Sequence, residues 1–305
     1  MESLTTCGET GTESSTKLLW QVWERSGTLA IGSKQGPNNL LRGYSWAALR
    51  TNFNVGRLMF DAGLSSNIAA DYIFLTHGHC DHSASLYFHT LTENPKDIFV
   101  PKEIEEITAT FLRNHHALSD FGSEFDPARA AWKIIPVTGG QVFENILHNG
   151  IKHDMCVYNN DHSVPCVSFG FKEEKKSLKD EYIGKEGKEL GKLRKEGHII
   201  EKFDKIPRFI YIGDTSERVF EMNPEIFVYP DIIVECTFLE HDDLDQATKT
   251  KHCHWERLRE IIRAHPENRF ILYHFSTRYR SREVANFFRA DGPNYEPNVF
   301  AWISS

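Results

Sequence analysis

The chain has 305 residues, 40% of them hydrophobic and 26% charged, which suits one large layered domain or two smaller ones of an ordinary water-soluble kind. No apolar run approaches the roughly 18–20 residues of a membrane span, so no membrane partner is expected. A formal charge of −8 argues against a uniformly basic nucleic-acid binder, although a local basic patch on an acidic protein still holds phosphates.

Met1 to Lys17 is polar, rich in Ser, Thr, Glu and Gly, and lacks the apolar core of a secretory signal; it reads as a disordered tail, with residues 18–305 as one domain. Six scattered cysteines without a CxxC pair indicate a reducing intracellular compartment, cytoplasmic or nuclear. Three of them, Cys80, Cys236 and Cys253, lie inside polar motifs and are expected to be small buried thiols, with zinc ligation the alternative.

Leu18 to Trp23 and Gly27 to Ile31 read as an opening pair of strands, followed by a turn at Gly36-Pro37-Asn38-Asn39. Ser45 to Arg50 and Arg57 to Phe60 continue as strands, the latter ending at Asp61-Ala62-Gly63. Tyr72 to Leu75 leads into Thr76-His77-Gly78-His79-Cys80-Asp81-His82, and Ser83 to Leu91 is the predicted helix beyond it. A short strand at Phe99 to Pro101, a helix over Glu103 to His115 and a strand at Trp132 to Val137 follow. Ile151 to Tyr158 and Val164 to Phe171 are strands flanking Asn159-Asn160-Asp161-His162-Ser163.

Lys172 to Arg208 changes character. Twelve Lys/Arg against nine Asp/Glu make it about +3, leaving about −11 elsewhere, and four glycines interrupt it. A solvated helical excursion is the plain reading, and a phosphate-binding arm is the functional one. Strands then run into polar sites again: Phe209 to Ile212 into Gly213-Asp214-Thr215, Asp231 to Val234 into Glu235-Cys236-Thr237, and Phe270 to Tyr273 into His274. Trp255 to Ala264 and Arg282 to Phe288 are helices, and Val299 to Ile303 is a last strand. In layered α/β proteins, such strand ends are where sites are built.

Three histidines and an aspartate within six residues form the ligand set that zinc and similar borderline metals prefer. With the other strand-end residues, the candidates are His77, His79, Asp81, His82, His162, Asp214 and His274. Seven are too many for one tetrahedral ion and suit two, with His77, His79, His162 and Asp214 on one and Asp81, His82, Asp214 and His274 on the other. Paired cations hold an activated hydroxide and stabilise a leaving oxygen, which is a hydrolase's apparatus. Asp61 is expected to orient a histidine by hydrogen bond without being a ligand.

Phe60-Asp61-Ala62-Gly63, His77 to His82, His162, Gly213-Asp214-Thr215 and His274 resemble the five motifs of the metallo-β-lactamase superfamily, over nearly the whole chain from about residue 18. The resemblance implies an α/β fold, a four-layer αββα sandwich of two mixed β-sheets flanked by helices, with two Zn²⁺ ions (Mn²⁺ the alternative) at one edge. Glu235 to Leu239 and Leu272 to Tyr279 are similar to signatures of short-form tRNase Z, the endonuclease that matures tRNA 3′ ends, and Lys179 to Gly197 to its inserted segment. That likeness implies precursor tRNA as the partner, a homodimer, and an arm gripping the tRNA body. It implies Asp81 as a ligand that also orients or deprotonates the attacking water, and Glu235 polarising His252 as proton donor to the leaving oxygen. His254 is the alternative donor. Ser276, Thr277 and Arg278 are implied as phosphate contacts. Ser83-Ala84-Ser85 departs from the usual Ile-Gly-Gly turn, and the Gly-Pro-rich arm of the larger bacterial type is missing. A small-molecule hydrolase of the same fold fits the metal motifs equally well, because they specify an activated hydroxide and no substrate. A non-catalytic RNA-binding protein is the third reading.

Overall fold

Ile73 and Phe74 are adjacent, fully buried, and belong to different hydrophobic clusters. Side chains alternate across a strand, so a sheet with both faces covered by apolar groups needs a layer on each side. The computed structural model, which describes residues 28–30, 40–66, 70–91, 96–119 and 131–303, has two such sheets.

The first holds β1 (Thr28–Ala30), β2 (Leu40–Trp46), β3 (Arg50–Val55), β4 (Leu58–Phe60), β5 (Tyr72–Phe74), β6 (Lys96–Pro101) and β7 (Trp132–Val137) in sequence order. Its first four strands pair antiparallel and its last four parallel. The second sheet repeats the plan. It runs β8 (Val142–His148), β9 (Ile151–Asn159), β10 (Val167–Leu178), β11 (Glu201–Tyr211), β12 (Asp231–Glu235), β13 (Arg269–Tyr273) and β14 (Val299–Ala301), antiparallel through β11 and parallel after it.

Aromatic rings fill the space between the sheets. Phe60 lies 4.8 Å from Tyr211 and 5.3 Å from Phe74, and Phe53 lies 5.3 Å from Tyr273 (ring centroids). On the outer face of the first sheet, Met59, Ile73 and Ile98 meet Leu86 of a short helix, α2 (Leu86–Thr90), and Leu112 of α3 (Glu105–Ser119), while α1 (Cys80–Ser83) follows the histidines. On the outer face of the second, Ile232, Val234, Phe270 and Leu272 meet Trp255, Leu258 and Ile262 of one helix and Val284 of another. Helices α4 (Gly187–Lys195), α5 (Val219–Met222) and α6 (Leu244–Thr250) precede that pair, α7 (Trp255–Ala264) and α8 (Ser281–Phe287). The result is a four-layer αββα sandwich, as the motifs imply.

Several elements differ from the sequence reading. The region over 172–208 is an extension of β10 and β11 into a twisted hairpin, topped by a 3₁₀ turn (Asp180–Tyr182) and α4. Its charges pair across the strands, Lys205 with Glu174 at 3.0 Å and Arg208 with Glu173 at 2.7 Å, which sustains a ladder where apolar alternation is absent. Strands β3 and β8 and helix α6 were not predicted, and the helix after the histidines is two short pieces. The expected strand at Leu18 to Trp23 lies outside the described residues. Cys236 and Cys253 are buried, but Cys80 is exposed, because it opens α1 on the solvent side of the loop. Among the described residues no helix is long and apolar enough to cross a membrane.

Phe60 is fully buried at the centre of the ring stack. Phe60→Ala should lower unfolding free energy by about 3–5 kcal/mol, read as a shifted urea midpoint with an unchanged slope.

Candidate metal centre

The loop from Thr76 to His79 leaves β5 and enters α1, and one buried carboxylate beneath it sets its shape. Asp61 follows β4 in a left-handed conformation (φ 58°), which a non-glycine residue adopts at a cost. Its Oδ1 accepts from the Thr76 amide at 2.8 Å and the Thr76 hydroxyl at 2.9 Å. Its Oδ2 lies 2.8 Å from His82 Nδ1 and accepts from the Tyr211 hydroxyl at 3.1 Å. Gly63 makes the close approach possible, because a Cβ there would sit 1.7 Å from the Asp81 carbonyl oxygen. The departure at Ser83-Ala84-Ser85 leaves the loop tied: Ser83 Oγ donates to the His79 carbonyl at 2.9 Å, and the Ser85 amide to the Ala62 carbonyl at 2.8 Å.

The remaining predicted ligands arrive from the second sheet. His162 is in the β9–β10 loop, Asp214 follows β11, and His274 follows β13 with φ 63°. The structure brings all seven predicted residues into two adjoining groups. His77, His79, His162 and Asp214 form one, and Asp81, His82 and His274 the other; within each, candidate ligand atoms lie within 4.8 Å of one another. Asp214 stands between them, with Oδ1 3.4 Å from His82 Nε2 and Oδ2 3.5 Å from His274 Nε2 and 3.7 Å from His77 Nε2.

The outward nitrogens show what the inward ones present. His82 Nδ1 faces the Asp61 carboxylate, and His162 Nδ1 faces the Lys251 carbonyl at 3.2 Å; both partners only accept, so both Nδ1 atoms carry the proton. Thr76 gives its hydroxyl proton to Asp61 and thus accepts from His77 Nδ1 at 3.0 Å. Thr237 gives its own to Glu235 at 2.6 Å and accepts from His274 Nδ1 at 3.1 Å. In the neutral rings, Nε2 of all four then points a lone pair inward. Two such atoms, on His82 and His274, are 3.2 Å apart, and His77 Nε2 is 3.1 Å from His79 Nδ1. Lone pairs facing at that range repel unless a proton or a metal cation lies between them.

Charge tells the same story. Burial holds His77, His79 and His162 below the ordinary histidine range, so they are neutral and able to ligate. Burial opposes ionisation of Asp214, but His274, His82 and His77 outweigh it and hold its carboxyl well below the usual range. Burial also disfavours charge on His82, yet Asp214 and Asp61 raise it well above its ordinary value, so the site attracts positive charge there. Oδ1 of Asp214 is buried and has no hydrogen-bond partner. Inward-facing imidazole nitrogens, a buried carboxylate oxygen without a hydrogen-bond partner and the mix of borderline nitrogen and hard oxygen donors fit divalent cations well.

Beside the cluster, His252 Nδ1 lies 2.6 Å from Glu235 Oε1, with its ring centroid 5.5 Å from His274 and 5.0 Å from His162. Burial works against its charged form, but the Glu235 carboxylate overcomes this and lifts it to about 9. His254 has no free nitrogen: Nδ1 accepts from the Glu256 amide as the N-cap of α7, and Nε2 lies 2.8 Å from the Glu240 carbonyl. Of the three residues implied as phosphate contacts, Arg278 pairs with Asp243 and lies over the Phe238 ring, while Ser276 is half-buried and Thr277 exposed.

Four supporting residues escaped the sequence reading. Thr76 and Thr237 relay a carboxylate to a ligand histidine, and the signal was their place directly at strand ends beside motif residues. Asp161 and Lys251 join two loops: Lys251 Nζ donates to Asp161 Oδ1 at 2.9 Å, while Lys251 holds φ 55° and caps α6. Only their adjacency to His162 and His252 marked them.

Asp61→Asn should weaken divalent-metal binding about 10–100-fold in competition with a chromophoric chelator, because an amide offers one acceptor where Asp61 uses two. Unchanged affinity would show that His82 needs no such support.

No protein-family model matches the chain. It is 26% identical over 262 residues to tRNase Z TRZ1 of Arabidopsis thaliana, covering 83% of this chain and 88% of that one. It is 28% identical over 255 residues to Ribonuclease Z of Methanothermobacter thermautotrophicus, covering 75% of this chain and 76% of the relative. Among solved structures it is similar to the metallo-beta-lactamase fold protein YhfI from Bacillus subtilis, with a TM-score of 0.50 at 15% identity over 90% of this chain and 95% of that one. The chain therefore has the metallo-β-lactamase fold, and in sequence it is similar to tRNase Z.

Proposed function

We propose that the protein is a zinc-dependent endoribonuclease that removes the 3′ trailer from precursor tRNA. The observation that carries this reading is the Glu235–His252 pair, 2.6 Å apart at the rim of the seven-residue cluster, in a chain similar to tRNase Z proteins. His252 also falls with Asp214 and His274 in a third candidate group, but the Glu235 carboxylate keeps its ring protonated, and a protonated ring donates a proton instead of ligating a cation.

His77, His79, His162 and Asp214 would hold one divalent ion, and Asp81, His82, His274 and the shared Asp214 the other. Bound there, a pair of Zn²⁺ ions would make a water nucleophilic near neutral pH and offset negative charge on the phosphate. Asp81 Oδ2 is fixed by the Ala48 amide at 2.8 Å, leaving Oδ1 to orient the attacking water or take its proton. Asp81 is lowered to about 2 even though burial opposes ionisation, because His274 and His82 favour the carboxylate, so it is ionised and able to ligate a cation or accept a hydrogen bond from the water. As water adds to phosphorus and the P–O3′ bond breaks, His252 Nε2 gives its proton to the departing 3′ oxygen. The products are a tRNA with a free 3′ hydroxyl and a trailer with a 5′ phosphate. The charged hairpin over 172–208 would contact the RNA through its lysines and arginines, where phosphate contacts supply affinity without sequence choice.

Incubation with a 3′-extended precursor tRNA and Zn²⁺ or Mn²⁺ should release a trailer at one mapped position, and chelation should abolish it. Absence of cleavage, with good thioester turnover, would instead place the protein among small-molecule hydrolases. His252→Ala should lower kcat by about 10²–10⁴-fold with little change in KM.

The pH profile gives a further check. Because Glu235 raises His252, the protonated donor persists until pH passes its folded-state value, and activity falls above it. Glu235→Gln removes the raising charge, so the alkaline limb should move to lower pH. An unmoved limb would assign the proton donor to another group.

A further inference from the structure

A cavity of about 310 Å³ opens next to the cluster, and His79 belongs to both. Its walls are the Gly78–Ser83 loop, Ile104 just before α3, Ile107 and Phe111 of α3, and Val164-Pro165, which follow His162 in the β9–β10 loop. It thus lies between the two loops that carry His79 and His162. Its size is at the lower end of the roughly 300–1,000 Å³ of small-molecule sites.

We propose that this cavity seats the nucleobase next to the scissile phosphate, an inference that rests on the reading as a ribonuclease. The lining contains no Lys, Arg, Asp or Glu, so no charged side chain of those kinds draws a phosphate into it. Aliphatic walls and the Phe111 ring suit a flat, weakly polar ring. Two hydroxyls supply polarity of one sense only. Ser83 donates to the His79 carbonyl at 2.9 Å and Thr108 to the Ile104 carbonyl at 2.8 Å, so their oxygens are left to accept. A ring bearing an amino group, adenine or cytosine, answers both features. A second hollow of about 450 Å³ lies beyond Val164-Pro165, but Glu103, Asn159 and Asn160 make it polar and acidic, unsuited to the same occupant. At the mouth of the apolar cavity Ile107 is 70% exposed, so its replacement alters the cavity without touching the core.

Calorimetric titration of the zinc-loaded full chain with adenosine monophosphate and with ribose 5-phosphate tests this. Adenosine monophosphate should bind about tenfold tighter, the scale of one base stacked on an aromatic group. Ile107→Glu should erase that difference, and Ile107→Leu should keep it, both with unchanged thermal midpoints. Equal affinities for the two ligands, or a difference that Ile107→Glu leaves intact, overturns the proposal. Precursor tRNA cleavage is scored separately. Cleavage without a base preference removes the cavity's role and leaves the ribonuclease reading. A base preference without cleavage keeps the nucleobase seat and removes that reading.

Discussion

Two fully buried carboxylates organise the site, and they do so in the same way. Asp61 accepts from the Thr76 amide and hydroxyl, the Tyr211 hydroxyl and His82. Glu235 accepts from the Thr215 amide at 3.0 Å, the Thr237 amide and hydroxyl, and His252. A carboxylate removed from water is costly unless its lone pairs are filled, and each of these has four donors. Each also governs two histidines, one directly and one through a threonine: His82 and His77 for Asp61, His252 and His274 for Glu235. Because both threonines pass their protons to the carboxylates, they are bound to accept from the rings. Ring tautomer, and with it the direction of every inward lone pair, follows from two acids deep in the sandwich.

The sheet plan explains where those acids sit. Each sheet begins as an antiparallel meander and ends as parallel strands, and the acids stand at the ends of β4 and β12 in the parallel halves. Left-handed backbone at Asp61 and His274 turns the chain sharply there, at one strand end of each sheet. Rings such as Phe60, Phe74 and Tyr211 lock the sheets face to face, and Tyr211 itself donates to Asp61. Core and site thus share a side chain.

The αββα layering was legible because strand ends carrying His, Asp and Glu recur along the chain and match known motifs. The seven convergent residues were legible for the same reason. What was hidden had no apolar period to show. In β3, Asn52 and Asn54 are buried along with Phe53 and Val55, so polar and apolar positions do not separate the faces. β8 is largely exposed and shifts register between Phe143 and Ile146, which erases alternation. The hairpin over 172–208 looked like a helical excursion because its stability comes from cross-strand ion pairs. The choice between His252 and His254 turned on which ring the surrounding backbone already occupies, and that is a matter of three-dimensional hydrogen bonding.

The seven residues are unevenly placed along the chain. His77 to His82 are neighbours, whereas His162, Asp214 and His274 come from the other sheet, His274 standing 192 positions after His82. A histidine-rich hexapeptide retains some affinity for divalent metal even in an unfolded chain, so that share of the binding energy adds nothing to native stability. Only the distant three, reached after the sheets dock, discriminate the folded protein from the unfolded one. An ion taken up early by the nascent loop would therefore wait, half-coordinated, for the C-terminal half to be made, and the order of synthesis becomes the order in which the site is completed.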